Sequence, residues 1–264
     1  MPAPTTLTDN FMRAEYQHLF DTCLIKESKY AAVTTIANKI IANKSRYKAV
    51  GDPLNIPWYF IGIVHNMESS LNFTRHLHNG DPLTARTRNV PAGRPATGNP
   101  PFTWEQSATD SLKLQKLDLW QDWSVPGLLN QFEVYNGMGY RRRGINSPYL
   151  WSFSNQYSKG KFTSDGVYDP NAISQQCGAA VLLRRLRELQ AIDFDEFEKI
   201  KMVKALGEQV TYNPNKYNAK AEQLQIVLNG MGGVLRVDGK AGEKTSNEYH
   251  RLTNKYLNGD PRRR

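Results

Sequence analysis

The stretch PWYFIGIVHNMES, residues 57–69, constrains this chain more than any other. Wound as a helix, it is apolar on nearly every side, so it has to be buried all round and other elements have to cover it. Pro57 suits its first turn, where a missing N–H costs nothing. Glu68 stands at its far end, where the apolar run gives way to a polar loop. The stretch is too short to cross a bilayer, and no run of 18 apolar residues occurs elsewhere; the densest segment, 58–64, is itself broken by Gly62.

The covering elements also read as helices. Residues 8–44 form two, the first capped by Asp9 or Asn10 and the second with Ala31, Ala32, Ile36, Ile40 and Ile41 on one face. Gly51-Asp52-Pro53 reads as a turn. Thr103 and Gln106 make a capping box ahead of TWEQSATDSLKLQKL. A further helix runs over 125–135 with Pro126 in its first turn, and residues 170–190 form an amphipathic one through Ala179, Ala180, Leu182, Leu183 and Leu186. Two long segments, 72–102 and the stretch after Tyr135, are rich in Gly, Pro, Asn, Ser and Arg and lack a helical period. Irregular segments of that length inside a compact domain usually carry function. The expected fold is mainly α: a helical body over 1–195, a linker over 196–214 and a small helical module over 215–264.

Hydrophobic residues make up 39% of the chain, enough for a core. Thirty-four Lys and Arg against 25 Asp and Glu leave a net charge of +9, which favours polyanionic partners such as nucleic acid, anionic membranes or acidic wall polymers. The N-terminal MPAPTTLTDNFMRAEY has neither the basic start nor the apolar stretch of a secretory signal, so synthesis in the cytoplasm is expected. The two cysteines, Cys23 and Cys177, are too few for a cysteine zinc site and are expected as reduced, buried thiols, with one long-range disulfide as the alternative in an oxidising compartment. His65, His76 and His78 with Asp81 are a conceivable metal set, but no HExxH motif is present and the spacing fits no zinc pattern; neither metal nor cofactor is expected.

The chemistry centres on Glu68. Apolar neighbours disfavour a charged carboxyl and raise its pKa, and a helix C-terminus is unfavourable for an anion. A carboxyl kept protonated near neutral pH can give its proton to a leaving oxygen, as glycosidases require. The second group is sought in HLHNGDPLTARTR, where Asp81 can activate water or stabilise a cationic sugar, although Gly-Asp-Pro is also ordinary turn chemistry. Glu105 and Asp110 fit the opening turn of a helix and are weaker candidates. Tyr135, Tyr140, Tyr149, Trp151, Phe153 and Tyr157 interleave with amide and hydroxyl residues, a pattern suited to a sugar chain; single-stranded nucleic acid also uses such aromatics beside cations such as Arg141–Arg143.

These residues carry a resemblance. GIVHNMESSLNF is similar to the catalytic-helix end of lysozyme-like muramidases and lytic transglycosylases, in which an apolar helix ends in Glu-Ser and the Glu is the acid. Tyr135-Asn136-Gly137 resembles the Tyr-Asn-Ala-Gly signature of the transglycosylases, and Asp81 and Thr87 are spaced like the Asp-x5-Thr of phage-type lysozymes. The gap from Glu68 to Asp81 is longer than in those lysozymes, and the Gly-Leu-Met-Gln motif of the transglycosylases is missing. In the tail, Leu224, Gln225, Leu228, Asn229, Val237, Asp238, Gly239, Gly242 and Thr245 resemble the small three-helix peptidoglycan-binding module.

The resemblance implies a lysozyme-like domain with a long active-site loop, joined to a wall-binding module. It implies a muramidase of endolysin type acting on the MurNAc–GlcNAc backbone, with Glu68 as acid, Asp81 placing water or stabilising the cationic sugar, and Thr87 orienting that water. A transglycosylase on the same bond, with Glu68 as acid and then base, is the nearest alternative, followed by a chitinase-like enzyme and by a silent wall-binding or nucleic-acid-binding protein. His65, Ser69, His78, Tyr135, Asn136, Tyr149, Trp151 and Tyr157 are the expected sugar contacts. The expected partner is peptidoglycan, with no nucleic acid and no membrane insertion, met by a monomer after release or translocation from the cytoplasm.

Overall fold

The computed structural model describes residues 6–164 and 166–263; the first five residues of the N-terminal stretch lie outside it. The protein is mainly helical. It divides into two compact units, Met1–Ile192 and Asp193–Arg264. Among the described residues no helix is long and apolar enough to cross a membrane.

The first unit is built round the helix that the apolar run demands. Helices α1 (Asn10–Asp21), α2 (Glu27–Ala42) and α3 (Lys44–Leu54) lead to α4 (Trp58–Ser69), and α5 (Trp104–Leu114), α6 (Val125–Asn136), the short α7 (Pro148–Trp151) and α8 (Ala179–Glu188) follow. Helix α4 packs against α2, α3 and α8, and every residue of it except Glu68 is buried. The break at Gly62 is a packing requirement: a β-carbon there would stand 2.6 Å from Ile40 Cγ2 and 3.1 Å from the Tyr47 ring. Ser70 and Leu71 both take left-handed conformations, and their N–H groups return to Asn66 and His65 carbonyls, closing the helix directly after Glu68.

Three local expectations need correction. Gly51-Asp52-Pro53 lies inside α3 rather than in a turn. The helix runs on to Leu54 and is stopped by Asn55 in the left-handed region, while Gly51 allows the Ile56 carbonyl within 2.4 Å of where a β-carbon would sit. The helix expected over 170–190 begins only at Ala179, because Gly178 is pressed against the Leu150 backbone and its N–H bonds the Ser152 carbonyl. The irregular stretch after α7 contains a small antiparallel hairpin, β1 (Lys161–Ser164) with β2 (Val167–Asp169), anchored by the Phe162 N–H donating to the Tyr140 hydroxyl at 2.9 Å.

The second unit has three helices, α9 (Phe194–Glu208), α10 (Ala219–Asn229) and α11 (Glu243–Thr253). Most of the segment expected as a linker over 196–214 is thus helix α9 and its turn, which contribute Val203 and Val210 to the core beside Leu224, Leu228 and Tyr249. Without α9 the remaining residues would have little to pack against. The buried Gln225 ties the unit together. Its Nε2 donates to Asp238 Oδ1, the Lys240 carbonyl and Thr245 Oγ1, each at 3.1 Å, and its Oε1 accepts from the Asp238 and Gly239 N–H groups. Asp238 also receives the Lys240 N–H, and Gly239 supplies the positive φ of the turn. Gly242 has an ordinary φ and serves as the N-cap of α11.

Candidate active site

Glu68 is the one residue of α4 that is not fully buried. Tyr149, on α7, donates its hydroxyl hydrogen to Glu68 Oε1 at 2.9 Å. Burial pushes the carboxyl up to about 7, and the Tyr149 bond pulls it back only in part. The Tyr149 hydroxyl is itself raised well above its ordinary value, first by burial and then by the Glu68 charge, so it stays a neutral donor. Because Oε1 is occupied as an acceptor, a proton on this carboxyl belongs on Oε2.

Tyr135 completes the surroundings. It lies near enough to Glu68 for the carboxylate charge to add to the effect of burial in raising its own pKa. Its hydroxyl is 3.1 Å from Ser111 Oγ on α5 and 3.4 Å from the Leu77 carbonyl. Gly80 abuts the Glu68 main chain, with room for a β-carbon only at 3.3 Å from its carbonyl oxygen. Gln176 donates to the Met67 carbonyl at 2.8 Å, satisfying part of the open end of α4. Thus α4, α5, α6, α7 and the loop after α4 converge on one acid.

The loop over 72–102 is held by buried polar contacts. His76 bridges Ser107 Oγ and the Ala85 carbonyl, both at 2.8 Å. His78 Nε2 is 2.8 Å from Asp110 Oδ1, and Arg94 binds both Asp110 oxygens at 2.8 Å. Burial opposes the Asp110 charge, yet the Ala96 N–H, His78 and Arg94 hold its carboxyl below the usual range. Asp110 was expected in the opening turn of its helix; it instead lies in the body of α5 and anchors the loop. Glu105 pairs with Arg46 at 2.7 Å.

Several expected contacts have other employment. Both Asp81 oxygens are taken: Oδ2 accepts from the Arg88 and Asn89 N–H groups and from Asn79, and Oδ1 from the Asn89 amide. The Asn89 and Arg88 N–H groups hold this carboxyl below the ordinary range, which makes it a weak base. Thr87 is buried, and its hydroxyl donates to the Pro91 carbonyl and accepts from the Arg94 N–H. His65 is fully buried among Tyr47, Phe73 and Trp104, with Nδ1 3.0 Å from the Tyr47 hydroxyl; burial drives its pKa down to about 4, so it remains neutral. His78 is engaged as above, and Ser69 bonds back to the His65 carbonyl. Trp151 is a core residue, and Tyr157 uses its buried hydroxyl on Gly160, Ala172 and Ser174. Asn136 is exposed at the end of α6.

Sequence reasoning missed Ser111 as the support of Tyr135 and gave Tyr149 to the sugar rather than to the acid. The signal for Ser111 was a small polar residue on the apolar side of an otherwise amphipathic helix. Among the described residues no three His, Cys, Asp or Glu side chains gather so as to hold a metal, and Cys23 and Cys177 are buried free thiols.

The raised Glu68 pKa has a consequence for stability. A carboxyl whose folded-state pKa lies above its unfolded value favours the fold while protonated, and that contribution disappears as pH rises. The window runs from about 4.5 to about 7. Melting curves over this range should show the wild type losing stability relative to Glu68→Gln, with the gap levelling off above about 7.

No family model, no curated protein and no solved structure matches this chain.

Proposed function

We propose that the first unit is a lysozyme-like glycosidase that cleaves the MurNAc–GlcNAc backbone of peptidoglycan, with Glu68 as general acid. The observation that carries this reading is the setting of Glu68: a partly buried carboxyl at the end of a central helix, pushed up to about 7 and gripped through one oxygen only. Such a group is about half protonated at neutral pH and has a second oxygen from which to deliver the proton to a glycosidic oxygen. The order of Glu68, the long loop and Tyr135-Asn136 supports the substrate class. So do the net charge of +9, suited to anionic walls, and the wall-module resemblance of residues 224–245. On this reading the protein meets the wall as a monomer after leaving the cytoplasm.

The state of Asp81 favours a second reading of the same bond cleavage. A carboxylate with both oxygens committed to the loop is poorly placed to take a proton from water. Glu68 would then act as acid and afterwards as base, with the muramyl 6-hydroxyl attacking in place of water. Digestion of purified sacculi followed by mass spectrometry tests both readings: reducing ends mark hydrolysis, anhydro ends mark transglycosylation, and release of neither overturns the proposal.

Tyr149→Phe probes the acid directly. Loss of a hydrogen bond that favours the charged form moves the Glu68 pKa further up. The alkaline limb of the pH–rate profile on sacculi should shift upward accordingly, with a several-fold lower kcat because the acid is no longer held in place. An unchanged limb would remove Tyr149 from this role.

A further inference from the structure

Ser107, buried in α5, lies between two buried histidines of the 72–102 loop. His76 Nδ1 is 2.8 Å from its Oγ, and His78 Nδ1 is 3.4 Å from it. The other ring nitrogens fix the tautomers. His76 Nε2 faces the Ala85 carbonyl, which can only accept, so that nitrogen carries a hydrogen. His78 Nε2 faces Asp110, whose carboxyl is held below the usual range and also accepts, so it carries one too. With both rings neutral, both Nδ1 atoms are bare acceptors turned on one hydroxyl, which has a single hydrogen to give. The shorter distance assigns that hydrogen to His76. His78 Nδ1 is then left against a lone pair, one hydrogen short.

An added proton has its place at His78 Nδ1, pointing at Ser107 Oγ. Charge opposes it. The groups facing His78 are Asp110 from α5 and His76 and Arg94 from the loop. Arg94 already grips both Asp110 oxygens, so the carboxylate charge is met without His78. A cation on His78 would leave an uncompensated positive charge in a buried place beside His76. Burial holds the His78 pKa below the ordinary 6.5, and Asp110 offsets this only in part. A histidine disfavoured as a cation when docked favours undocking in acid. Its docking is fully favourable above 6.5 and weakens as pH falls below that value.

The same contacts reach the acid. Leu77, between the two histidines, gives its N–H to Ser107 Oγ at 3.3 Å, and its carbonyl takes the Tyr135 hydroxyl at 3.4 Å. The turn continues to Gly80, whose N–H returns to the His76 carbonyl and which abuts the Glu68 main chain.

We propose that His76, Ser107 and His78 form a proton-operated latch: neutral, it docks the loop on α5 and seats Tyr135 beside Glu68; protonated at His78, it releases the loop. Ser107 and His78 are thereby positioning residues that act through Leu77 and Tyr135. That the latch governs cleavage rests on the Glu68 reading; that it governs the loop does not.

Deuterium uptake by residues 72–102 of the whole protein, followed by mass spectrometry between pH about 8 and about 5, where histidine changes charge, tests the latch. After correction for the intrinsic exchange rate, the opening constant should rise as pH falls below 6.5. The rise should be at most about tenfold per pH unit, the limit for uptake of one proton. His78→Gln keeps a donor for Asp110 and cannot titrate, so its opening constant should stay flat over this range. Ser107→Ala should open several-fold more at every pH; were that variant unfolded, His78→Gln alone decides. On sacculi, the wild type should lose activity in acid along the same curve as the opening, and His78→Gln should retain it. A wild-type loop whose opening ignores pH, or a His78→Gln loop that opens in acid as the wild type does, overturns the latch. Acid opening with no acid limb in glycan release overturns the positioning role. Sacculi left intact at every pH, with a loop that still opens in acid, overturn the Glu68 reading and leave the latch standing.

Discussion

Glu68→Gln should lower glycan release from purified sacculi by about 100- to 10,000-fold, the range that a positioned general acid contributes. Glutamine keeps the shape of the side chain and keeps an oxygen to accept the Tyr149 hydroxyl, so the local geometry survives while the transferable proton is lost. The variant should be folded, and above pH about 7 it should melt higher than the wild type, because it removes a carboxyl that burial prefers uncharged. That pairing separates lost chemistry from lost structure. A folded Glu68→Gln protein that releases fragments at the wild-type rate would exclude Glu68 as the acid. Activity in the parent should fall on the alkaline side with an apparent pKa of about 7.

The second large effect concerns stability. Gly178→Ala should destabilise the first unit by about 3 kcal/mol, the upper part of the usual range for overpacking, which is a fall in melting temperature of roughly 6–12 °C for a domain of this size. Gly178 has φ −71° and ψ 148°, a conformation open to alanine, so backbone strain is not the cause. The obstacle is contact. A β-carbon would lie 2.2 Å from the Leu150 carbonyl oxygen, 2.5 Å from its carbon and 2.8 Å from the Trp151 nitrogen, all of them main-chain atoms of α7. The N-terminus of α8 would have to move away from α7, breaking the bond from the Gly178 N–H to the Ser152 carbonyl. Since α7 also carries Tyr149, glycan release should fall together with stability. A melting temperature within about 1 °C of the wild type would show that α7 yields without cost.

Much of the helical framework was legible locally. The Thr103–Gln106 capping box is present with both of its hydrogen bonds, and Asp9 caps α1 through the Phe11 and Met12 N–H groups. Where local signals failed, a distant contact had overridden them. The Gly51-Asp52-Pro53 turn signal lost to packing of α3 on α4, and the linker reading lost to a core that needed α9. Hydrogen bonds of residues such as Asp81 and Thr87 cannot be read from type and spacing, because one carboxylate pattern serves both catalysis and loop closure. Their neighbours in space decide which.

By itself the sequence determined that residues 58–69 form a helix buried on all sides and that an acid ends it, since an apolar surface without a polar face has only one stable place. Only the tertiary structure decided what that acid meets. Tyr149 is 81 positions away along the chain, and its bond to Glu68 depends on Gly178 and α8 pressing α7 into place. Periodicity reports which face of an element avoids water; it carries no information about which remote side chain will be waiting there.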